Sequence, residues 1–232
     1  WWRTLPGDLA RILSAEWRPR RPFARAATVA AALAAVVGLL ILHGLWLGDA
    51  DIWFHEGKPA TILSGVLLGM ASWSAYRFGR RRIGPPNGVF WGIMAIVFGL
   101  AAADEIFKLH EHTEILLQYL LGIERRDGAP LSELDGYLVL VYPLIGGVAG
   151  LIYRRHVARF PPTVRWWAAG AALFVLMQLL DTGAIVLPTF PHAGILWEEV
   201  AKVLAVICLF AGMVAVVGRN DVPDPRLDAP RV

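Results

Sequence analysis

From position 103 to 112 the chain reads Ala-Asp-Glu-Ile-Phe-Lys-Leu-His-Glu-His, six ionisable side chains set directly behind an apolar run. Charges at the edge of a bilayer core are costly and occur there with a partner or a use. Asp104, Lys108 and Glu111 stand at i, i+4 and i+7, one face of a helix; Glu105 and His112 lie beside them, and His110 points the other way. A second cluster, Glu198-Glu199-x-x-Lys202, has the same carboxylate-carboxylate-x-x-Lys spacing as Asp104, Glu105 and Lys108. His43 and Asp181 stand on two further apolar runs.

Three chemistries suit such a set. Carboxylates with histidine favour Zn, Mn or Fe, and carboxylates alone favour Ca. On that reading His43, Asp104, Asp181, Glu198 and Glu199 are the metal ligands and a coordinated water is the nucleophile for hydrolytic or lipid-directed chemistry. Glu105, Glu111, Lys108 and Lys202 would then move protons. The nearby lysines count against a simple cation cage, and no His-Glu-x-x-His run is present. Proton- or cation-coupled transport is the second chemistry, since intramembrane acid/lysine sets serve it often. Haem, held by two of His43, His55, His110 and His112, is the least favoured. A further alternative has no chemistry: an accessory or assembly subunit whose acidic face meets other membrane subunits. Singly, each residue also has a structural reading, as an intrahelical ion pair or a snorkelling lysine.

The elements that must position these residues are apolar blocks. With 56% hydrophobic residues and a mean hydropathy of +0.53, the 232-residue chain is too apolar for an ordinary soluble domain. Six blocks approach the roughly 20 residues that cross a hydrocarbon core. They run 27–47, 60–78, 88–109, 137–153, 166–187 and 194–217, which predicts an all-α, six-span transmembrane helical bundle over residues 26–218. Residues 1–25 carry Trp1, Trp2, Leu5, Leu9, Ile12, Leu13 and Trp17 among six arginines, the pattern of an N-terminal interfacial helix. Residues 219–232 form a cytoplasmic tail, and no cleavable signal peptide is expected ahead of the first span. Pro143 falls inside span four and should kink it. Gly44/Gly48, Gly65/Gly69, Gly88/Gly92 and Gly146/Gly150 are small-xxx-small pairs expected to pack helices closely.

Charge sets the orientation. Arginines cluster before span one, at Arg77 and Arg80 to Arg82, at Arg154, Arg155, Arg159 and Arg165, and at Arg219, Arg226 and Arg231. Seventeen of the 22 basic residues thus fall on one side, so the positive-inside rule puts both termini in the cytoplasm of an inner membrane. The basic residues are topogenic, and nothing points to nucleic acid. Counted along the spans, His43, Asp104 and Asp181 each lie roughly 23 Å from the inner boundary, and Lys202 with Glu198 and Glu199 reaches the same depth. One polar pocket near the outer leaflet follows. The two acid/lysine motifs on antiparallel helices are what a 3+3 inverted repeat would produce. Cys208, the lone cysteine, sits in an apolar block and receives no role.

Asp104-Glu105-x4-His110-Glu111 followed by Glu198-Glu199-x-x-Lys202 resembles a pattern of multi-pass bacterial membrane proteins, over these two short motifs only. That resemblance implies a polytopic membrane protein and no particular activity. Intramembrane hydrolases of the alkaline ceramidase type also carry an Asp-Glu on a helix, but their late histidine pair is missing here, so their activity is not carried over.

Overall fold

The computed structural model describes residues 21–49, 51–54, 57–82, 87–121, 140–181 and 193–217. Among them are eight helices and no strand: α1 (Arg21–Leu47), α2 (Pro59–Arg82), α3 (Asn87–Phe107), α4 (Leu109–Leu121), α5 (Val141–Ile152), α6 (Arg154–Val157), α7 (Pro161–Asp181) and α8 (Ala193–Val217). Four stretches are long and apolar enough to cross a membrane: Pro22–Leu47, Gly88–Phe107, Pro161–Asp181 and Leu196–Val217. The fold is all-α, as composition and block length predict, and its apolar helices are those of a membrane-associated protein. The N-terminal segment expected as an interfacial helix lies outside the described residues except for 21–25, which belong to α1; the tail 219–232 also lies outside them.

Proline opens two of the helices. Pro59 and Pro161 are first residues, where the missing N–H would have no intrahelical partner and the fixed φ favours helix entry. Pro143 behaves the same way. It stands third in α5, inside the first turn, so the kink expected from a mid-span proline has no hydrogen bond to break.

Helix α8 is the centre. Val203, Ala211, Met213 and Val216 are fully buried on it, and it packs against α7, α2 and α1, while α2 pairs with α3 and α3 with α5. Polar bonds join these pairs: Ser72 Oγ donates to the Ala95 carbonyl at 2.7 Å, Thr163 Oγ1 to the Gly212 carbonyl at 3.1 Å, and Trp167 Nε1 to the Leu209 carbonyl at 3.1 Å. The closest approach is at Gly212, where any Cβ would stand 2.5 Å from the Trp167 indole. The small-xxx-small pairs matter less than their spacing suggests: Gly65 meets Ile106, but a Cβ at Gly48, Gly69, Gly92 or Gly150 would meet open space. Outward faces are apolar, with Leu39, Leu42 and Leu45 on α1 and Ile62 and Val66 on α2 exposed, an arrangement suited to lipid rather than water.

One end of the bundle is sealed by aromatic rings. Trp91 of α3 contacts Phe78, Phe90, Phe160 and Trp167 with centroids 5.0 to 6.0 Å apart, mostly edge to face. Into this packing α6 inserts His156, whose Nε2 accepts a 2.9 Å bond from Trp91 Nε1. Burial, aided by the Arg159 charge, pushes His156 down to about 4. Its ring is therefore neutral and carries its proton on Nδ1.

Candidate functional site

The polar cluster lies at the other end of α3. Asp104 and Glu105 follow Trp91 by 13 and 14 residues, roughly 20 Å along the axis. Helix α3 stops at Phe107, and Lys108 takes a left-handed backbone conformation, φ 53°, before α4 starts at Leu109. A non-glycine residue there costs on the order of 1–2 kcal/mol, so something must hold the break in place. Asp104 does. Its buried carboxylate accepts the His110 backbone N–H at 2.7 Å through Oδ1, and the same oxygen lies 3.0 Å from His110 Nδ1. The Tyr142 side chain of α5 stands beside this carboxylate as well. The Lys108 N–H still donates to the Asp104 carbonyl at 2.7 Å and the His112 N–H to the Lys108 carbonyl at 3.1 Å, so helical backbone bonds run up to the break and resume from it.

This geometry corrects the straight-helix face. Lys108 does not pair with Asp104; its ammonium lies 3.2 Å from Glu111 Oε1, with both side chains about one-third exposed. His110, expected to point away, is turned onto Asp104 by the reversal at Lys108. His112 is exposed, with Nδ1 2.8 Å from the Lys108 carbonyl oxygen.

Across from α3, Lys202 of α8 joins the second motif to the first. Its Nζ stands 2.8 Å from both Glu199 oxygens, three residues earlier on the same helix, and 3.4 Å from Glu105 Oε1 of α3. All three side chains are largely buried, with exposures of 21%, 11% and 15% for Lys202, Glu199 and Glu105. One ammonium is thus shared between carboxylates of two helices, held more tightly by Glu199. Glu198 is partly buried beside them. Lys202 sits inside a regular helix whereas Lys108 marks a helix break, so the two copies of the motif differ in backbone as well as in pairing.

The five expected metal ligands do not converge. His43 is exposed and lies against Trp46 and Trp53, with ring centroids 5.8 and 5.4 Å away. The buried residues of α1 are Ala26, Ala30, Val37 and Gly44; His43, about 100° round the helix from Gly44, turns outward. Asp181 is the last residue of α7 and exposed, beyond Met177, which closes that helix's buried seam. Among the described residues no three His, Cys, Asp or Glu side chains are grouped to hold a metal ion. His55 lies outside the described residues.

Two polar residues near the break lie outside the expected set. Tyr142 carries no charge and follows an apolar run, so only the contact between α3 and α5 reveals it. Glu114 is buried and accepts a bond from Gln118, four residues on, at 2.5 Å; their i, i+4 spacing on α4 was the available signal.

Compared with known proteins, the chain matches one family model, described as a domain of unknown function (DUF8692), over residues 17–217. No curated protein and no solved structure matches it.

Proposed function

Because the chain belongs to the DUF8692 family, whose description carries no activity, we propose a function from the geometry alone. It is a six-span inner-membrane protein, both termini cytoplasmic, whose outer-half acid–lysine–histidine site takes up a cation in exchange for a proton. The four membrane-length stretches, the 24-residue α2 and the apolar α5 make up the six spans. The arginine clusters orient them.

The observation that carries the proposal is the shared lysine. Lys202 is held at 2.8 Å by Glu199 and at 3.4 Å by Glu105, so Glu105 is the carboxylate more readily given another counter-charge. In a medium of low dielectric that counter-charge is a proton or a small cation, and the exchange swaps one for the other. The O–H bond of protonated Glu105 breaks, the proton leaves to the outer water, and the cation takes its place on the carboxylate while Lys202 stays with Glu199. Asp104 beside Glu105 on α3, His110 of α4 and Tyr142 of α5 supply groups that can pass a proton outward. Access is from the outer face, because the aromatic packing around Trp91 and His156 fills the opposite end. The metal-hydrolase reading is less well supported: Lys202 occupies the space between carboxylates that a divalent ion would need, and His43 and Asp181 stand elsewhere.

The test is proton release. Purified protein in weakly buffered detergent solution near neutral pH should release protons when NaCl or CaCl2 is added, but not with choline chloride. Glu105→Gln should abolish the release. Silence towards both salts, in protein that co-purifies with a larger complex, would reject the exchange and favour an assembly subunit. A stoichiometric bound metal lost in Asp104→Ala would restore the metal centre.

A further inference from the structure

Helix α4 has its polarity inside out. Glu114 is 5% exposed and Gln118, hydrogen-bonded to it, is partly buried, whereas Ile115, Leu116, Tyr119 and Leu120 are 55% to 83% exposed. A helix bounded by water shows the reverse order, apolar in and polar out. The other residues on its exposed side, Leu109, His112 and Thr113, all lie in its first five positions. Ile106 and Phe107, exposed at the end of α3, bring an apolar surface up to the break. Helix α3, at 21 residues, is about 30 Å long, enough by itself to cross the hydrocarbon. Its straight continuation would leave the bilayer. The left-handed Lys108, fixed by Asp104, turns the chain instead.

From this we infer that α4 lies in the outer leaflet, with its Ile115, Leu116, Tyr119 and Leu120 side bedded among lipid acyl chains. Its less exposed side carries Glu111, Glu114 and Gln118, with Glu114 one turn from His110. Tyr119 suits this position, having an apolar ring and a hydroxyl that can reach headgroups. The surface fits lipid because it is apolar along the length of the helix beyond its first turns and carries no charge that a soluble partner would pair. The inference rests on the six-span topology proposed above, and the experiment separates the two.

Single cysteines are placed at Leu116, Leu120 and, as a reference on α1, Leu42, in a Cys208→Ala background, and labelled with a small fluorophore in nanodiscs. A nitroxide on the lipid acyl chain should quench all three labels, and iodide in the water should quench none. Quenching of Leu42 by lipid with Leu116 and Leu120 quenched by iodide would overturn the placement of α4 and leave the spans intact. No lipid quenching at any position would overturn the spans as well. Cross-linking between two copies through Leu116 or Leu120, with shielding from both quenchers, would show that a second chain covers the surface and would also overturn the inference.

Discussion

Lys202 shows how a single residue can dominate the energetics here. An ammonium this far from water is tolerable because Glu199 and Glu105 compensate it, and those carboxylates in turn depend on it. Lys202→Met keeps the length and apolar stem but leaves two carboxylates facing each other without a cation. Removing one partner of a buried ion pair costs about 3–5 kcal/mol, and the same loss is expected here as a lower melting temperature in detergent. Replacing the whole set, Glu105→Gln with Glu199→Gln and Lys202→Met, should recover most of that loss, because no buried charge is then left uncompensated. If Lys202→Met melts with the parent, the ammonium is not buried between these acids.

Elements show where a short piece of chain is held by one side chain. Helix α6 has four residues, too few to persist alone, and is anchored by His156 in the ring cluster and by its bond from Trp91. Folded His156 titrates near 4 and the unfolded residue near 6.5, so between these values the unfolded chain binds more protons. The contribution of neutral His156 is therefore complete above about 6.5 and lost progressively as pH falls towards 4, by about 2–3 kcal/mol in all. His156→Gln keeps an acceptor for Trp91 and does not titrate, so its melting temperature should fall less than the parent's between pH 7 and pH 4. Parallel curves would refute the assignment. The elements also show what could be read beforehand. Pro59 and Pro161 stand at first helical positions, where proline is favoured, whereas nothing at Lys108 signals a break: no glycine, asparagine or proline stands there, and the group that fixes it is the Asp104 carboxylate six residues before His110. The face of α1 was hidden for another reason. In apolar surroundings helices pack through small residues, so Ala26, Ala30 and Gly44 turn inward while Leu42, His43 and Trp46 turn outward, and hydropathy carries no record of that choice.

At the scale of the whole molecule the two ends of the bundle differ in kind, an aromatic plug beside the arginine clusters and an acid/lysine layer at the far end of α3. Four of the six blocks, the all-α class and the meeting of Glu105 with Glu199 and Lys202 were legible from spacing and depth; the facing of His43 and Asp181 was not, because depth places residues on a level without saying which way they face. The critical element for topology is α5. Its 12 residues extend about 18 Å, well short of the ~30 Å hydrocarbon, so it crosses only if the turns at its ends contribute. Between Lys58 and Ala158 the chain runs through α2, α3 and α5. Three crossings put these positions on opposite sides; if α5 does not cross, they share one. A cysteine at Lys58, in a Cys208→Ala background, should react with a membrane-impermeant maleimide applied outside. A cysteine at Ala158 should react only after the membrane is opened. Labelling of both from outside would remove α5 from the spans, and with it the cytoplasmic placement of the arginines that follow.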